Sequence, residues 1–177
     1  EELGYNLDTW AGRHADRHAR AIVDNLASYL VGVPGLVEVE QMVEAQVEGV
    51  TIRGRMDRLE HVVEGVRVTD LKTGKGGHSA KNVPDNPQLA AYQMALLASG
   101  EQVAGARIAL LGGDKPKTFD QKPLEGKTLE EWRGKVREVA AIARGPYFEA
   151  TPSEDACRYC SFDRLCPARE RGRKVVE

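Results

Sequence analysis

Residues 54–60 read Gly-Arg-Met-Asp-Arg-Leu-Glu, and residues 66–74 read Val-Arg-Val-Thr-Asp-Leu-Lys-Thr-Gly. Apolar and polar residues alternate in both segments, which predicts two strands that each turn one face toward a core. Between them, Glu64-Gly65 predicts a two-residue hairpin turn, because glycine readily adopts the positive φ that such turns need. We therefore expect the two segments to form an antiparallel β-hairpin.

This turn predicts a register in which Val63 pairs with Val66, so that Asp57 lies opposite Lys72 and Asp70 lies diagonal to Asp57. Directly opposed side chains share a face with Cβ atoms about 4.5–5.5 Å apart, and diagonal neighbours lie about 7–8 Å apart. Two carboxylates at that spacing can share a hard divalent cation, which prefers oxygen ligands. A lysine beside them can hold a water nucleophile or neutralise a phosphate. The hairpin is thus a candidate phosphodiesterase site, and a surface hairpin with ordinary ion pairs is the alternative.

The length of 177 residues suits one domain, or one domain with an appendage. Charged residues make up 29% and hydrophobic residues 41%, as in ordinary soluble globular proteins. The formal net charge of −2 argues against a broadly basic surface, so any DNA contact must come from a local patch. The candidate patch residues are Arg53, Arg55, Arg58, Lys72, Lys75 and Lys81. No apolar run reaches membrane-spanning length, so no membrane contact is expected.

The flanking segments predict helices around this hairpin. Apolar residues at helical spacing predict an amphipathic helix over residues 8–30, ended by Gly32 and Pro34. His14 and His18 lie one turn apart on it and could bind a metal together, although two ordinary helix-face histidines are the favoured interpretation. Residues 36–47 predict a strand that leads into the hairpin.

A second helix is predicted over residues 87–98, because Asn86-Pro87 provides an N-cap followed by proline at the first helical position. Gln88 and Tyr92 lie one turn apart on the same face, where a capping-turn glutamine and a core tyrosine would be the ordinary interpretation. The apolar run from Val103 to Leu111 predicts a central strand, and residues 115–122 predict an edge strand or loop.

All three cysteines lie in the spacing Cys157-x2-Cys160-x5-Cys166, followed by Pro167. An odd number in a tight cluster is a poor disulfide framework and a good partial metal site, which indicates a reducing, cytoplasmic location. Thiolates at this spacing bind zinc or an iron–sulfur cluster, and three buried reduced cysteines are the alternative. The basic residues that follow are expected to be solvated; they are Arg169, Arg171, Arg173 and Lys174.

The order Gly-Arg-x-Asp, Asp-x-Lys-Thr-Gly and Gln-x-x-x-Tyr resembles the RecB-like nucleases of the PD-(D/E)xK superfamily. The resemblance is greatest to the C-terminal nuclease domain of actinobacterial AdnA/AdnB-type UvrD-like helicase–nucleases. It implies an α/β fold, with a restriction-endonuclease-like core whose mixed central β-sheet is flanked by helices. We expect this core over residues 1–150 and a cysteine-cluster tail over residues 151–177.

The resemblance also implies an active site and its cofactors. Asp57, Asp70 and the Leu71 carbonyl would hold Mg²⁺ or Mn²⁺, and Lys72 would orient the attacking water. Gln88 and Tyr92 would contact the DNA backbone or support the metal site. In the tail it implies a [4Fe–4S] cluster on Cys157, Cys160 and Cys166, completed by a distant N-terminal cysteine. Zinc is the alternative, closed by His78 or another group.

In this family a metal-binding histidine lies on a helix ahead of the sheet, in a Gly-x-x-x-His setting. Here Asp16 stands four residues after Gly12. We therefore expect that histidine and the fourth cysteine upstream of Glu1, in a longer protein.

The activity implied is exonucleolytic cleavage of DNA ends during double-strand-break processing. A helicase motor or partner subunit would supply the ATP-driven movement, since no Gly-x-x-x-x-Gly-Lys-Ser/Thr phosphate loop occurs in this chain. Two rivals stay open. One is a catalytically inactive DNA-binding or scaffolding module of the same fold, and the other is a stand-alone CRISPR-adaptation-type nuclease.

Overall fold

The structure is a computed structural model, and it describes residues 6–33, 35–147 and 149–168. The chain divides into two units, residues 1–137 and residues 138–177. The domain boundary after residue 150 stays a prediction. The basic tail predicted from residue 169 onward lies outside the described residues.

Five strands and four helices make up the described chain. In order, they are α1 (Trp10–Val31), β1 (Val37–Val47), β2 (Val50–Val62), β3 (Gly65–Lys72), α2 (Pro87–Ala98), β4 (Val103–Leu110), β5 (Lys117–Gln121), α3 (Gly126–Arg144) and α4 (Glu154–Cys157). A short 3₁₀ turn, Val83–Asp85, precedes α2. The predicted helices near 8–30 and over 87–98 are confirmed, and so is the strand predicted from Val103.

The strands form one mixed sheet in the order β1-β2-β3-β4-β5. The pairs β1–β2 and β2–β3 are antiparallel, β3 and β4 run parallel, and β5 pairs antiparallel with β4 at the edge. The parallel pair requires a crossover, which α2 supplies. The mixed α/β sheet agrees with the expected restriction-endonuclease-like fold.

The two faces of the sheet are covered differently. α2 is apolar on most sides, and Leu89 and Ala95 pack with Met56, Leu59 and other sheet residues in the main core. The opposite face carries α1, whose Tyr29 packs in a smaller cluster. Asn86 accepts a hydrogen bond from the Leu89 amide and caps α2, which sets where this buried helix begins. In the described part of the chain, no helix has both the length and the apolar character needed to cross a membrane.

The predicted hairpin register is wrong by two residues. Val62 pairs with Gly65, so the turn residues are Val63 and Glu64. Gly65 adopts φ +129°, and a Cβ at this position would overlap the Gln102 carbonyl. The glycine is therefore needed for close approach to residue 102, not as a turn residue.

Candidate active site

Asp70 lies on β3 with only 4% of its surface exposed. Its Oδ1 accepts a hydrogen bond from Gln88 Nε2 at 2.9 Å. Its Oδ2 is buried and accepts no hydrogen bond from the described residues, although the Lys72 ammonium lies 2.8 Å away as an ion-pair partner. A buried, charged oxygen without a hydrogen bond is costly unless a cation compensates it.

Asp57 lies on β2 and reaches across to the neighbouring strand. Its Oδ2 accepts a hydrogen bond from the Leu71 amide at 2.7 Å. The last regular β2–β3 pair is Arg58 with Thr69. Continuing that register by one residue sets Asp57 level with Asp70, not opposite Lys72 as predicted. The hydrogen bond from the Leu71 amide places the Asp57 carboxylate next to the residue that follows Asp70.

The regular alternation of β2 residues between the two faces of the sheet is interrupted at Asp57. Gly54 and Met56 face α2 before this point, and Leu59 faces α2 after it. Across from Asp57, Glu40 of β1 adopts φ +55°, and strand pairing is interrupted there. Bulges and strained backbone of this kind often re-aim a side chain next to an active site. The plain alternation of the sequence contained no signal for this irregularity.

Gln88 and Tyr92 project from α2 toward the two strand motifs. Gln88 holds Asp70, and the Tyr92 hydroxyl donates to the Arg55 carbonyl at 2.8 Å. Gln88 Nε2 also lies 3.4 Å from the Tyr92 hydroxyl. The structure thus places this pair where it can support the acids. Contact with a DNA strand stays a prediction.

Gly54 is required by Tyr92. A Cβ on residue 54 would lie 2.7 Å from Tyr92 Cε1, closer than carbon atoms pack. We expect Gly54→Ala to displace the ring from the Arg55 carbonyl and to cost about 1–3 kcal/mol of unfolding free energy. Chemical denaturation measures this cost. Gly76→Ala is the matched control, because a Cβ there meets nothing within 4 Å, and its effect should stay within about 0.5 kcal/mol.

A double variant tests the cause of the Gly54→Ala loss. If the ring is responsible, then Gly54→Ala combined with Tyr92→Leu should cost clearly less than the sum of the two single changes. Strict additivity would show that the ring contact is not the source of the loss.

The two histidines of α1 have different surroundings. His14 is exposed and stacks on Trp10, with ring centroids 5.5 Å apart. His18 is partly buried and lines a surface groove with Lys75 and Asp114, beyond the ends of β3 and β4. Within the described ranges, no three or more His, Cys, Asp or Glu side chains form a group that could hold a metal ion.

A buried polar cluster lies on the α1 face of the sheet, and the sequence patterns did not predict it. We call it the Glu60 cluster; it comprises Tyr29, Arg58, Glu60, Arg67 and Thr69. Glu60 is 1% exposed. Its Oε1 accepts from the Tyr29 hydroxyl at 2.7 Å and from Arg58 Nε at 3.3 Å, and its Oε2 accepts from two Arg67 nitrogens at 3.0 and 3.1 Å.

Electrostatics in the Glu60 cluster follow from these contacts. Burial opposes ionisation of Glu60, but hydrogen bonds from Tyr29 and Arg67 outweigh it and hold the pKa of the carboxyl below its usual range. Burial raises the pKa of the Tyr29 hydroxyl. Glu60 is therefore an ionised carboxylate in the interior.

The expected basic patch is only partly available for DNA. Arg58 is buried, and its guanidinium lies over the Tyr29 ring, so the prediction that Arg58 belongs to a surface patch is wrong. Arg53 and Arg55 are exposed and pair across β1 and β2 with Glu44 and Glu40.

The three cysteines lie in the second unit, at and after α4. All three are free thiols; Cys160 is exposed and the others are partly exposed. The described residues do not bring them together as a group of metal ligands. Their predicted role as iron–sulfur or zinc ligands stays a prediction.

At the Asp57–Asp70 position the donor chemistry fits a divalent cation. Asp70 Oδ2 is a buried carboxylate oxygen that lies 2.8 Å from the Lys72 ammonium, and hard cations prefer carboxylate oxygens as ligands. Two carboxylates would leave further coordination positions on the cation for water or a main-chain oxygen. The Leu71 carbonyl as such a ligand stays a prediction.

Fold and site together define a nuclease-type α/β protein with two acids and one lysine on the adjacent strands β2 and β3. The chain belongs to the PD-(D/E)XK nuclease superfamily, whose family model matches residues 1–167.

Among individual proteins, the chain is 27% identical over 140 residues to the Gene 69 protein of Mycobacterium phage D29, covering 75% of this chain and 49% of that protein. It is 29% identical over 127 residues to the Gene 69 protein of Mycobacterium phage L5, covering 69% of this chain and 41% of that protein. The chain thus spans about half the length of these curated relatives, or less. The crystal structure of SSO0001 is similar at 20% identity and a TM-score of 0.49, over 88% of this chain and 71% of that one.

Proposed function

We propose that this chain is a divalent-metal-dependent DNA exonuclease domain that processes the ends of double-strand breaks within a helicase–nuclease. One observation carries the proposal. A buried carboxylate oxygen of Asp70 lies 2.8 Å from the Lys72 ammonium, and the Asp57 carboxylate on the neighbouring strand accepts a hydrogen bond from the amide of Leu71, the residue between Asp70 and Lys72. Membership of the PD-(D/E)XK nuclease superfamily supports the same chemistry.

Each residue of the site has a role in this proposal. Asp57 and Asp70 would hold Mg²⁺ or Mn²⁺, with the Leu71 carbonyl as a further ligand. When bound, the ion would polarise the phosphate and lower the pKa of a bound water. Lys72 would orient that water or donate to a phosphate oxygen. Gln88 fixes the orientation of the Asp70 carboxylate through its hydrogen bond. Tyr92 and Gln88 would position the DNA strand.

The biological setting is the finer part of the proposal. The motif resemblance supports a domain that acts beside a helicase motor or partner subunit, on DNA in the cytoplasm. Contacts to phosphates carry no sequence information, so cleavage would be largely independent of sequence.

An assay on end-labelled linear DNA tests the proposal. We expect the chain to release nucleotides with Mg²⁺ or Mn²⁺ and to stop when EDTA is added. A folded chain that binds DNA but cleaves none, with either metal, would instead favour the inactive binding module. The inactive binding module would be established only if a longer chain, extended upstream, also failed to cleave DNA. Cleavage confined to circular DNA would contradict the exonuclease assignment.

For the cysteine tail we propose a structural [4Fe–4S] cluster on Cys157, Cys160 and Cys166, supported by their spacing. We assign it no step in the reaction. A longer protein that carries the distant fourth cysteine, purified without oxygen, should be brown and contain iron and sulfide in equal amounts, and Cys160→Ser should lose both. Colourless protein with one bound zinc would favour the zinc alternative, and metal-free protein of normal stability would contradict both.

A further inference from the structure

The hydrophobic pattern of β2 and β3 does not select one register. Registers that differ by two residues place the same side chains on the same faces. In the observed register Leu59 pairs with Val68, and in the slipped one it would pair with Asp70. The slip would move one strand about 7 Å along the other and set Asp57 opposite Lys72.

Local turn chemistry does not favour the observed register either. Two-residue hairpins prefer turns with positive φ at their central residues. Among the described residues the only non-glycine residues with positive φ are Glu40 and Glu48, so Val63 and Glu64 do not form such a turn. Gly65 is fixed by Gln102 ahead of β4, which aligns β3 with β4 and leaves the alignment with β2 open.

We propose that the ion pair between buried Glu60 and half-buried Arg67 sets the β2–β3 register and thereby positions Asp57 beside the Asp70–Leu71 segment. In the observed register these two residues are direct partners, and Arg67 donates from Nε and Nη2 to Glu60 Oε2 at 3.1 and 3.0 Å. In the slipped register they would be diagonal, with Cβ atoms about 7–8 Å apart, and the forked contact would be lost. A buried carboxylate strongly penalises such a loss of compensation.

The Glu60–Arg67 pair can affect the active site because it lies close to the two acids along β2 and β3. Tyr29 holds Glu60 from α1 and lies 3.4 Å from the Thr69 hydroxyl. Arg58 and Thr69 are the last regular pair, and the two acids follow at once. The register thus decides which residue of β3 lies beside Asp57. Its consequence for cleavage rests on the proposed function, whereas the register itself does not.

Cross-strand backbone NOEs in the full chain test the inference. In Glu60→Met/Arg67→Met, where apolar side chains replace the pair, we expect the Leu59–Val68 NOEs to weaken and Leu59–Asp70 NOEs to appear. Arg107→Met/Asp120→Met, which removes a forked pair between β4 and β5, should keep the original NOEs. A folded double variant with unchanged Leu59–Val68 NOEs overturns the inference.

Two further variants guard against failure to fold. Arg67→Met leaves Glu60 its Tyr29 and Arg58 donors and should show the same second set of NOEs, while Arg67→Lys should retain mostly the original set. If the wild-type chain cleaves DNA, the cleavage rate should fall in proportion to the native-register fraction. If the wild type cleaves nothing, the proposed function fails, and the NOEs still decide the register.

Discussion

Asp70→Asn should reduce metal-dependent DNA cleavage by roughly 10²–10⁴-fold while leaving the fold intact. The substitution keeps the shape of the side chain and an oxygen for Gln88, so its main effect is to remove the charge beside Lys72. Lys72→Met should cause a loss of the same order, because it keeps the length of the side chain but removes the ammonium. Single-turnover cleavage of end-labelled DNA at saturating metal measures both.

Gln88→Leu tests whether Gln88 acts by holding the Asp70 carboxylate in position and not in the cleavage step itself. Gln88 holds one oxygen of Asp70 without contributing charge, so we expect a smaller loss, about 10–100-fold, and a higher metal requirement. Glu101→Gln is the matched control for Asp70→Asn, because it also exchanges a carboxylate for an amide, but at an exposed position ahead of β4. If Asp70→Asn and Lys72→Met both cleave within twofold of the wild-type rate, the active site lies elsewhere.

Glu60→Gln should be the most destabilising single change, at roughly 3–5 kcal/mol of unfolding free energy. It leaves two buried or partly buried guanidinium groups, on Arg58 and Arg67, without their carboxylate. For a chain of this length the loss corresponds to a melting temperature lowered by about 6–20 °C. Thermal unfolding followed by circular dichroism measures it. A loss below about 1 kcal/mol would contradict the importance of the buried charge.

The same carboxylate predicts an acid dependence of stability. Because the folded-state pKa of Glu60 is lowered, its contribution is fully present above the unfolded-state pKa of about 4.5. That contribution is lost as pH falls through the lowered folded-state pKa. Wild-type stability should therefore fall more steeply below pH about 4.5 than that of Glu60→Gln. Parallel slopes would show that Glu60 does not bind its proton on acid unfolding.

Much of the architecture follows from short-range patterns. The helix start at Asn86-Pro87, the spacing of apolar residues in α1 and the apolar run from Val103 each predict an element that the structure contains. These signals are local, because capping and periodicity depend on residues within one or two turns. The residue types of the candidate site, above all Asp57, Asp70 and Lys72, were accessible in the same way.

Register, burial and strain were not accessible, because they depend on residues distant in the chain. A period of two cannot distinguish registers two residues apart, so the pattern predicts a turn at Glu64-Gly65, whereas the role of Gly65 depends on Gln102. Arg58 was expected on the surface, yet Tyr29 and Glu60 hold it inside. Alternation therefore assigns side chains to faces, whereas long-range contacts, each with its own geometry and charge, determine which residues meet on those faces.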